Sequence, residues 1–198
     1  MKIISGSKKS YIISAPKNLP VRPTSGLVKE SLFNILNNYF NFNNIKVLDL
    51  YAGTGNISYE FGSRGCQEID SIDINSRCTS FIKKKSLELN FKINVVTSSA
   101  DKFIKKSKSK YNIIFADPPY QYITGEYTDL INSIFDDPDL QVKISVLKHQ
   151  LSFPMNSVPY SIRSKESNKA RRVDNENLMK FLEAERRVGI NLLNPEVT

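Results

Sequence analysis

The chain has few of the residues that bind metals or form disulfides, with two cysteines and one histidine among 198 residues. Cys66, Cys78 and His149 cannot complete a four-ligand zinc site, so we predict no metal ion. Two cysteines in ordinary positions of secondary structure indicate free thiols in a reducing compartment, and we expect a cytoplasmic protein.

Long apolar runs are also missing. The first five residues hold no apolar run long enough for a signal peptide, and no stretch of the chain is long and apolar enough to span a bilayer. We therefore expect neither a leader nor a membrane partner. Positive charge is plentiful instead: the net charge of +8 and the pI near 9.4 favour an anionic partner.

The N-terminal segment is predicted to be a short hairpin. Lys2–Ile4 and Tyr11–Ile13, each with two isoleucines, would be its strands on either side of a turn at Gly6–Lys9. A proline-rich loop follows, and Thr24 can cap the next helix with its hydroxyl. An apolar stripe is expected along that helix, formed by Leu27, Val28, Leu32, Ile35 and Leu36. We divide the chain into a hairpin and basic loop over 1–23 and a main domain over 24–198.

From residue 45 the pattern alternates between strands and helices. Compact apolar runs predict strands, and helices are expected between them. The helix predicted over 76–89 would turn Phe81, Ile82, Leu87 and Leu89 partly inward. The predicted strands are 45–50, 69–72, 94–96, 111–116 and 144–147, and the predicted helices are 57–63, 76–89, 100–105 and 127–135. This βα order predicts an α/β fold with a mostly parallel sheet and helices on both faces. No structure follows for 155–198.

A glycine loop joins the first strand of the sheet to a helix. Gly53 and Gly55 would let the backbone approach a ligand closely, but a dinucleotide-binding loop would require a third glycine after Gly55. Asp73 ends the second strand, where an acid can bond both ribose hydroxyls of a nucleoside or can cap the next helix. Asp49 can accept hydrogen bonds from the loop's amides or from an ammonium group. A nucleoside with a methionine tail would suit these acids.

The segment Asp117-Pro118-Pro119-Tyr120 follows the fourth strand. Two prolines remove two backbone donors and fix two φ angles, so they hold Asp117 and Tyr120 at the sheet edge. Asp117 and the Pro118 carbonyl could accept the N–H groups of an exocyclic amine and free its lone pair, while Tyr120 stacks on a flipped base. These residues predict methylation of an amino nitrogen on a nucleic-acid base.

Several segments together resemble one family. They are Lys2–Gly6, Arg22-Pro23-Thr24 leading into Val28–Leu36, Val47–Gly55, Ser63-Arg64-Gly65, Asp73 and Asp117–Tyr120. The chain resembles the Rossmann-like class I S-adenosylmethionine methyltransferases and, more narrowly, the RsmD family, which methylates the N2 amino group of a guanine in bacterial 16S ribosomal RNA. The match covers roughly residues 2–150.

The resemblance implies a seven-stranded sheet and S-adenosyl-L-methionine as the cofactor. The cofactor residues would be Asp49, Tyr51, Ala52, Gly53, Gly55, Asp73, Ala100 and Asp117, with Ala100 beside the adenine and either Ser99 or Asp101 on its amino group. The hairpin and the Arg22 loop would hold RNA, through Lys8, Lys9, Arg22 and Thr24. The residues themselves point to the same RNA-binding region, because a larger set of cations forms a basic cluster beside Tyr11. Its members are Lys2, Lys8, Lys9, Lys17, Arg22 and Lys29. We expect a monomer that acts on small-subunit ribosomal RNA, free or in an assembling 30S particle.

The C-terminal region departs from the family. Lys148 stands where the family usually has an acid, and the Tyr-Gly pair expected near the last strand is absent between Ser161 and Phe181.

Three alternative functions remain. They are a DNA adenine-N6 methyltransferase that shares the Asp-Pro-Pro-Tyr chemistry, a non-catalytic RNA-binding module of the same fold, and a dinucleotide-dependent oxidoreductase.

Overall fold

The computed structural model describes residues 1–16, 19, 26–118, 129–130, 133–134, 142–148 and 190–193. The helices in these ranges are α1 Gly26–Tyr39, α2 Asn56–Ser63, α3 Ser76–Leu89 and α4 Ala100–Lys106. The strands are β1 Lys46–Leu50, β2 Glu68–Asp73, β3 Ile93–Thr97, β4 Tyr111–Ala116, β5 Val142–Lys148 and β6 Ile190–Leu193. Asp129, Leu130, Ser133 and Ile134, inside the predicted helix 127–135, are also helical.

The strands form one sheet in the order β3-β2-β1-β4-β5-β6. The first five are parallel, and β6 runs antiparallel to β5. The α/β class and the parallel sheet are therefore confirmed. Six strands are present in the described ranges, so the expected count of seven is not confirmed. β6 lies in the tail for which the sequence predicts no structure.

Each face of the sheet carries its own apolar core. One face packs under α1 and α2, with Phe33, Leu36, Val47, Phe61 and Ile113 fully buried. The other face packs under α4, with Leu48, Leu50, Ile72, Ile104 and Ile114 buried. Alternate residues of a strand point to opposite faces, which explains why Val47 and Leu48 belong to different cores. Among the described residues, no helix is long and apolar enough to cross a bilayer.

Two of the predicted inward-facing leucines are exposed. Leu27 on α1 is 75% exposed, and Leu87 on α3 is 81% exposed. At 100° per residue, Leu27 lies opposite the buried Leu36, and Leu87 lies far round the helix from the buried Ile82. The sheet can cover only one side of each helix, so these two predictions were wrong.

The N-terminal hairpin is confirmed as a short antiparallel pair. Lys2 and Ile12 form its β-bridge, the Ile3 amide donates to the Tyr11 carbonyl at 3.0 Å, and the Ile13 amide donates to the Met1 carbonyl at 2.8 Å. Ile3 and Ile13 are both 1% exposed and pack with side chains of α2 and α3. Burial of these two isoleucines attaches the hairpin to the main domain.

Candidate active site

Three chain segments leave the sheet side by side at its carboxyl edge. In the sheet register Leu50 of β1 lies between Ile72 of β2 and Ala116 of β4. The residues that follow these three are therefore neighbours, and they are Tyr51, Asp73 and Asp117. The strand order reverses direction between β1 and β4, and ligands of open α/β sheets bind at such a switch point.

The glycine loop is held in an unusual backbone conformation. Tyr51 has a φ of 61°, which non-glycine residues seldom adopt and which clusters at ligand sites. Gly55 has a φ of 77°, and a Cβ there would lie 2.8 Å from the Tyr59 ring. Position 55 therefore requires glycine for two reasons, its φ and the close approach of Tyr59.

Three amides of the loop are already bonded within the protein. Ala52 donates to the Ile72 carbonyl at 2.9 Å, and Gly55 donates to the Ala52 carbonyl at 2.7 Å. The Gly53 amide donates to Oδ2 of Asp73 at 2.7 Å. A dinucleotide-binding loop needs such amides to bind a pyrophosphate, so this loop is poorly suited to a dinucleotide.

Asp73 connects the loop to the start of α3. Its Oδ1 accepts the Asn75 amide at 2.7 Å, and its side chain is 8% exposed. Asn75 caps α3, because its own side chain accepts the amides of Arg77 and Cys78. The helix cap is thus supplied by Asn75, and the Asp73 carboxylate keeps acceptor capacity for a further donor.

Asp49 is buried beneath the loop. Its Oδ2 accepts the Ser58 amide at 3.2 Å and the Ser58 hydroxyl at 2.5 Å. The sequence analysis expected Asp49 to accept either a loop amide or an ammonium group. The amide that it accepts belongs to Ser58 of α2 and not to the loop. Burial raises the pKa of Asp49 to about 7, against the effect of the Ser58 bonds, and the negative charges of Asp117 and Asp73 raise it further.

Asp117 lies directly after β4 and is half-buried, and Pro118 beside it is buried. Pro119 and Tyr120 lie outside the described residues. Asp117 and Asp73 both raise the pKa of Asp49, so the three carboxylates share one negative region. Such a region attracts a cation and repels a phosphate. Within the described part of the chain, no group of three or more histidines, cysteines or acids is arranged to hold a metal ion.

Ala100, the first residue of α4, is 5% exposed and packs against the sheet. The Ser98 amide donates to the Asp73 carbonyl at 3.0 Å, which brings the loop before α4 to the end of β2. Ser99 is half-buried and Asp101 is exposed. The predicted adenine-side residues therefore lie at the same edge as the glycine loop.

The predicted RNA-binding residues separate into two clefts. Lys9 lines a cleft of about 330 Å³ that also includes Lys2 and Asn56, the first residue of α2. Lys8 lines a second cleft of about 600 Å³ with Arg64 and other residues at the far end of α2. Eight residues of helix span about 12 Å, so only the Lys9 cleft lies close to the glycine loop. Arg22 and Thr24 lie outside the described residues.

Lys29 does not belong to the exposed basic cluster that the sequence predicts. It is 1% exposed and forms an ion pair with Glu60 at 3.0 Å, and Glu60 is fully buried. The sequence reasoning missed Glu60 altogether. The available signal was the position of Lys29, three residues before Leu32 and four before Phe33, which places a charge on the buried face of α1.

Comparison with known proteins agrees with this geometry. The family model described as "Conserved hypothetical protein 95" matches residues 1–178. Ribosomal RNA small subunit methyltransferase D of Buchnera aphidicola is 36% identical over 121 residues, covering 60% of this chain and 62% of that protein. The protein of the same name from Escherichia coli K12 is 28% identical over 138 residues, covering 69% of this chain and 68% of its own length.

Solved structures show the same fold. The yhhF protein of Escherichia coli, which carries a methyltransferase name, superposes with a TM-score of 0.65 at 23% identity, covering 81% of this chain and 86% of that one. A hypothetical protein of Thermus thermophilus gives a TM-score of 0.63 at 19% identity, covering 74% and 84%. Because the family model matches residues 1–178, the chain belongs to the conserved hypothetical protein 95 family. This is the RsmD family of methyltransferases, which the residues of the chain resemble.

Proposed function

We propose that the protein uses S-adenosyl-L-methionine to methylate the N2 amino group of a guanine in small-subunit ribosomal RNA. The observation that carries this proposal is the acidic carboxyl edge, where Asp49, Asp73 and Asp117 share one negative region beside a glycine loop that already bonds three of its amides within the protein. The relatives named ribosomal RNA small subunit methyltransferase D support the choice of RNA.

The described residues fit a cationic nucleoside cofactor better than an anionic one. S-adenosyl-L-methionine would supply a methyl group on a positively charged sulfur. Asp73 would accept ribose hydroxyls with its remaining lone pairs, and Ala100 would lie against the adenine. Asp49 or its neighbours would face the methionine ammonium, and the bends at Tyr51 and Gly55 would let the backbone approach closely.

Asp117 is the proposed catalytic residue. Its carboxylate and the Pro118 carbonyl would accept the two N–H groups of the guanine amine and draw the nitrogen toward tetrahedral geometry. The lone pair, otherwise delocalised into the ring, would become available to accept the methyl group. The methylated nitrogen would then carry an acidic proton and lose it to the Asp117 carboxylate that accepts its N–H, so no strong base is required. Tyr120 would stack on the flipped base.

The RNA would be held by the positively charged N-terminal part of the chain. Lys9 lines the cleft that reaches Asn56, next to the glycine loop. Cations there would contact phosphates, which position a protein on RNA without reading its sequence. We propose that the chain acts as a monomer in the cytoplasm, on free RNA or on an assembling 30S particle.

The decisive experiment replaces Asp117. Asp117→Ala should still bind the cofactor in calorimetry, with a lower affinity because one of the three acids is lost. At saturating cofactor it should lose methyl transfer to small-subunit RNA by about a hundredfold or more, since it removes an interaction that strengthens in the transition state. Glu68→Gln is the matched control, because Glu68 is an exposed acid at the amino end of β2.

Full transfer by Asp117→Ala with normal cofactor binding would refute the catalytic assignment. Duplex DNA is assayed in parallel, and preferential transfer to its adenines would favour the DNA methyltransferase alternative. A complete lack of cofactor binding by the unsubstituted chain would favour a non-catalytic RNA-binding module.

A further inference from the structure

A buried carboxylate joins the N-terminal hairpin to the helix that follows the glycine loop. Glu60 of α2 is 0% exposed and accepts the amides of Ile4 at 2.9 Å and Ser5 at 3.0 Å. It also pairs with Lys29 Nζ and Arg64 Nε, each at 3.0 Å. Two backbone donors of the hairpin and two side-chain cations therefore converge on a single carboxylate.

Lys29 makes the same connection from α1. Its ammonium group donates to the Lys2 carbonyl at 2.8 Å, to Asn56 Oδ1 at 2.9 Å and to Glu60 at 3.0 Å. An ammonium group has three protons, and these three acceptors can use all of them. Asn56 directly follows Gly55, so Lys29 contacts both the hairpin and the first residue after the glycine loop.

The hairpin turn is held by a second set of backbone contacts. The Ser7 amide donates to the Ser63 carbonyl at 2.6 Å, and the Ser63 hydroxyl donates to the Ser5 carbonyl at 2.6 Å. Gly6 has a φ of 85° and lies against the backbone of Ser63. A Cβ at position 6 would be 1.8 Å from the Ser63 carbonyl oxygen. All these contacts use the hairpin backbone. Its cationic side chains, such as the exposed Lys2 and Lys9, remain available to another molecule.

We propose that the buried Lys29–Glu60 pair is a positioning element that holds the N-terminal hairpin, as an RNA-binding surface, at a fixed place relative to the glycine loop. This inference rests on the proposed function, because it assumes that the hairpin contacts RNA. The pair bonds the hairpin backbone on one side and Asn56 and Arg64 of the main domain on the other, and it does not touch the reacting atoms. It should therefore control how well RNA binds in register, and leave cofactor binding and the chemical step unchanged.

An apolar double variant can separate a positioning role of the ion pair from a role in stability. Replacing a buried ion pair by apolar residues of similar size is often neutral or stabilising for the fold. The double variant Lys29→Met/Glu60→Leu should thus keep the main domain folded while the Ile4 and Ser5 amides and the Lys2 carbonyl lose their bonds to the pair. It also removes the bonds from the pair to Asn56 and Arg64, which the second variant keeps. Gly6→Ala disturbs the same docking from the other end and leaves the ion pair intact, so it tests the proposal independently.

Each variant has a matched control. Gly26→Ala places a methyl group where nothing lies within 4 Å, so it is the control for Gly6→Ala. Lys85→Met/Glu88→Leu removes an ion pair on the outer side of α3 and is the control for the double variant. The measurements are cofactor affinity by calorimetry, RNA affinity by anisotropy with labelled small-subunit RNA, KM and kcat for methyl transfer, and exchange of the Ile4 and Ser5 amides.

In both hairpin variants we expect faster exchange of the Ile4 and Ser5 amides and about tenfold weaker RNA affinity, with KM raised to match, because preorganisation is lost. Cofactor affinity and kcat at saturating RNA should stay within about twofold of the unsubstituted chain. Slow amide exchange in both variants would overturn the proposal. Undocking with unchanged RNA affinity would overturn it too, as would an equal loss of kcat and cofactor affinity.

The proposed function can fail separately. If the unsubstituted chain binds cofactor but transfers no methyl group to small-subunit RNA, guanine methylation is refuted. The RNA affinities of the same variants then decide the positioning role on their own.

Discussion

The carboxylate of Asp73 accepts the backbone amide of Gly53 at 2.7 Å, across 20 positions of the chain. This bond joins the end of β2 to the glycine loop that follows β1. The predicted ribose-binding acid thus also shapes the loop that would approach the cofactor. Two neighbouring parallel strands are needed for this contact, since their carboxyl ends meet at one edge of the sheet.

Replacing Asp73 should weaken cofactor binding more than it weakens the fold. Asp73→Ala frees the Gly53 and Asn75 amides and removes the proposed ribose acceptor, so we expect at least about a tenfold loss of affinity in calorimetry, or about 1.4 kcal/mol. Asp70→Asn is the control, because Asp70 is an equally buried acid on the same strand that bonds Asn94 and Tyr111. Equal losses of affinity in both variants would contradict this prediction.

Asp49 should make the stability of the protein depend on pH. Its pKa rises from 3.8 to about 7 on folding, so between these values the folded state binds more protons than the unfolded state. The free energy of unfolding should therefore fall as the pH rises through this window. The Asp49→Asn side chain cannot ionise. Between about pH 5 and about pH 8, the free energy of unfolding of the unsubstituted chain should therefore fall further than that of the variant, by more than about 1 kcal/mol. Urea unfolding at both pH values measures this, and parallel curves for the two proteins would show that Asp49 ionises as easily as an exposed acid.

Two buried tyrosines should respond in opposite ways to loss of their hydroxyl groups. The Tyr59 hydroxyl has no hydrogen-bond partner among the described residues, whereas the Tyr111 hydroxyl donates to Asp70 at 2.7 Å. Tyr59→Phe should raise the free energy of unfolding by about 1 kcal/mol, and Tyr111→Phe should lower it by about 1–3 kcal/mol. Chemical denaturation tests both. A loss of stability in Tyr59→Phe would reveal a partner for its hydroxyl.

Lys9 should contribute to RNA affinity through charge alone. Its cleft reaches the first residue of α2, so Lys9→Ala should weaken RNA binding and reduce the slope of log affinity against log salt by about 0.7, the value for one phosphate contact on a single strand. Lys84→Ala on the exposed side of α3 is the control. An unchanged salt slope in Lys9→Ala would exclude this contact.

The sequence by itself determined the alternation of helices and strands and the sheet edge at which Asp73 and Asp117 lie. Burial has a period of two residues in strands and 3.6 in helices, and this local pattern is visible without any partner. α3 and β4 therefore begin and end at the predicted residues, 76–89 and 111–116. Asp73 and Asp117 could be placed at one edge because both end strands of a parallel sheet.

Only the tertiary structure decided which side chains meet. Glu60 and Lys29 lie 31 positions apart by their numbers, and no periodicity pairs them. Leu27 and Leu87 are apolar, yet the sheet covers the other side of their helices. Lys8 and Lys9 are adjacent in the chain but line different clefts, since the hairpin is docked by its backbone. Contacts between distant segments depend on how elements pack, and a local pattern carries no information about that.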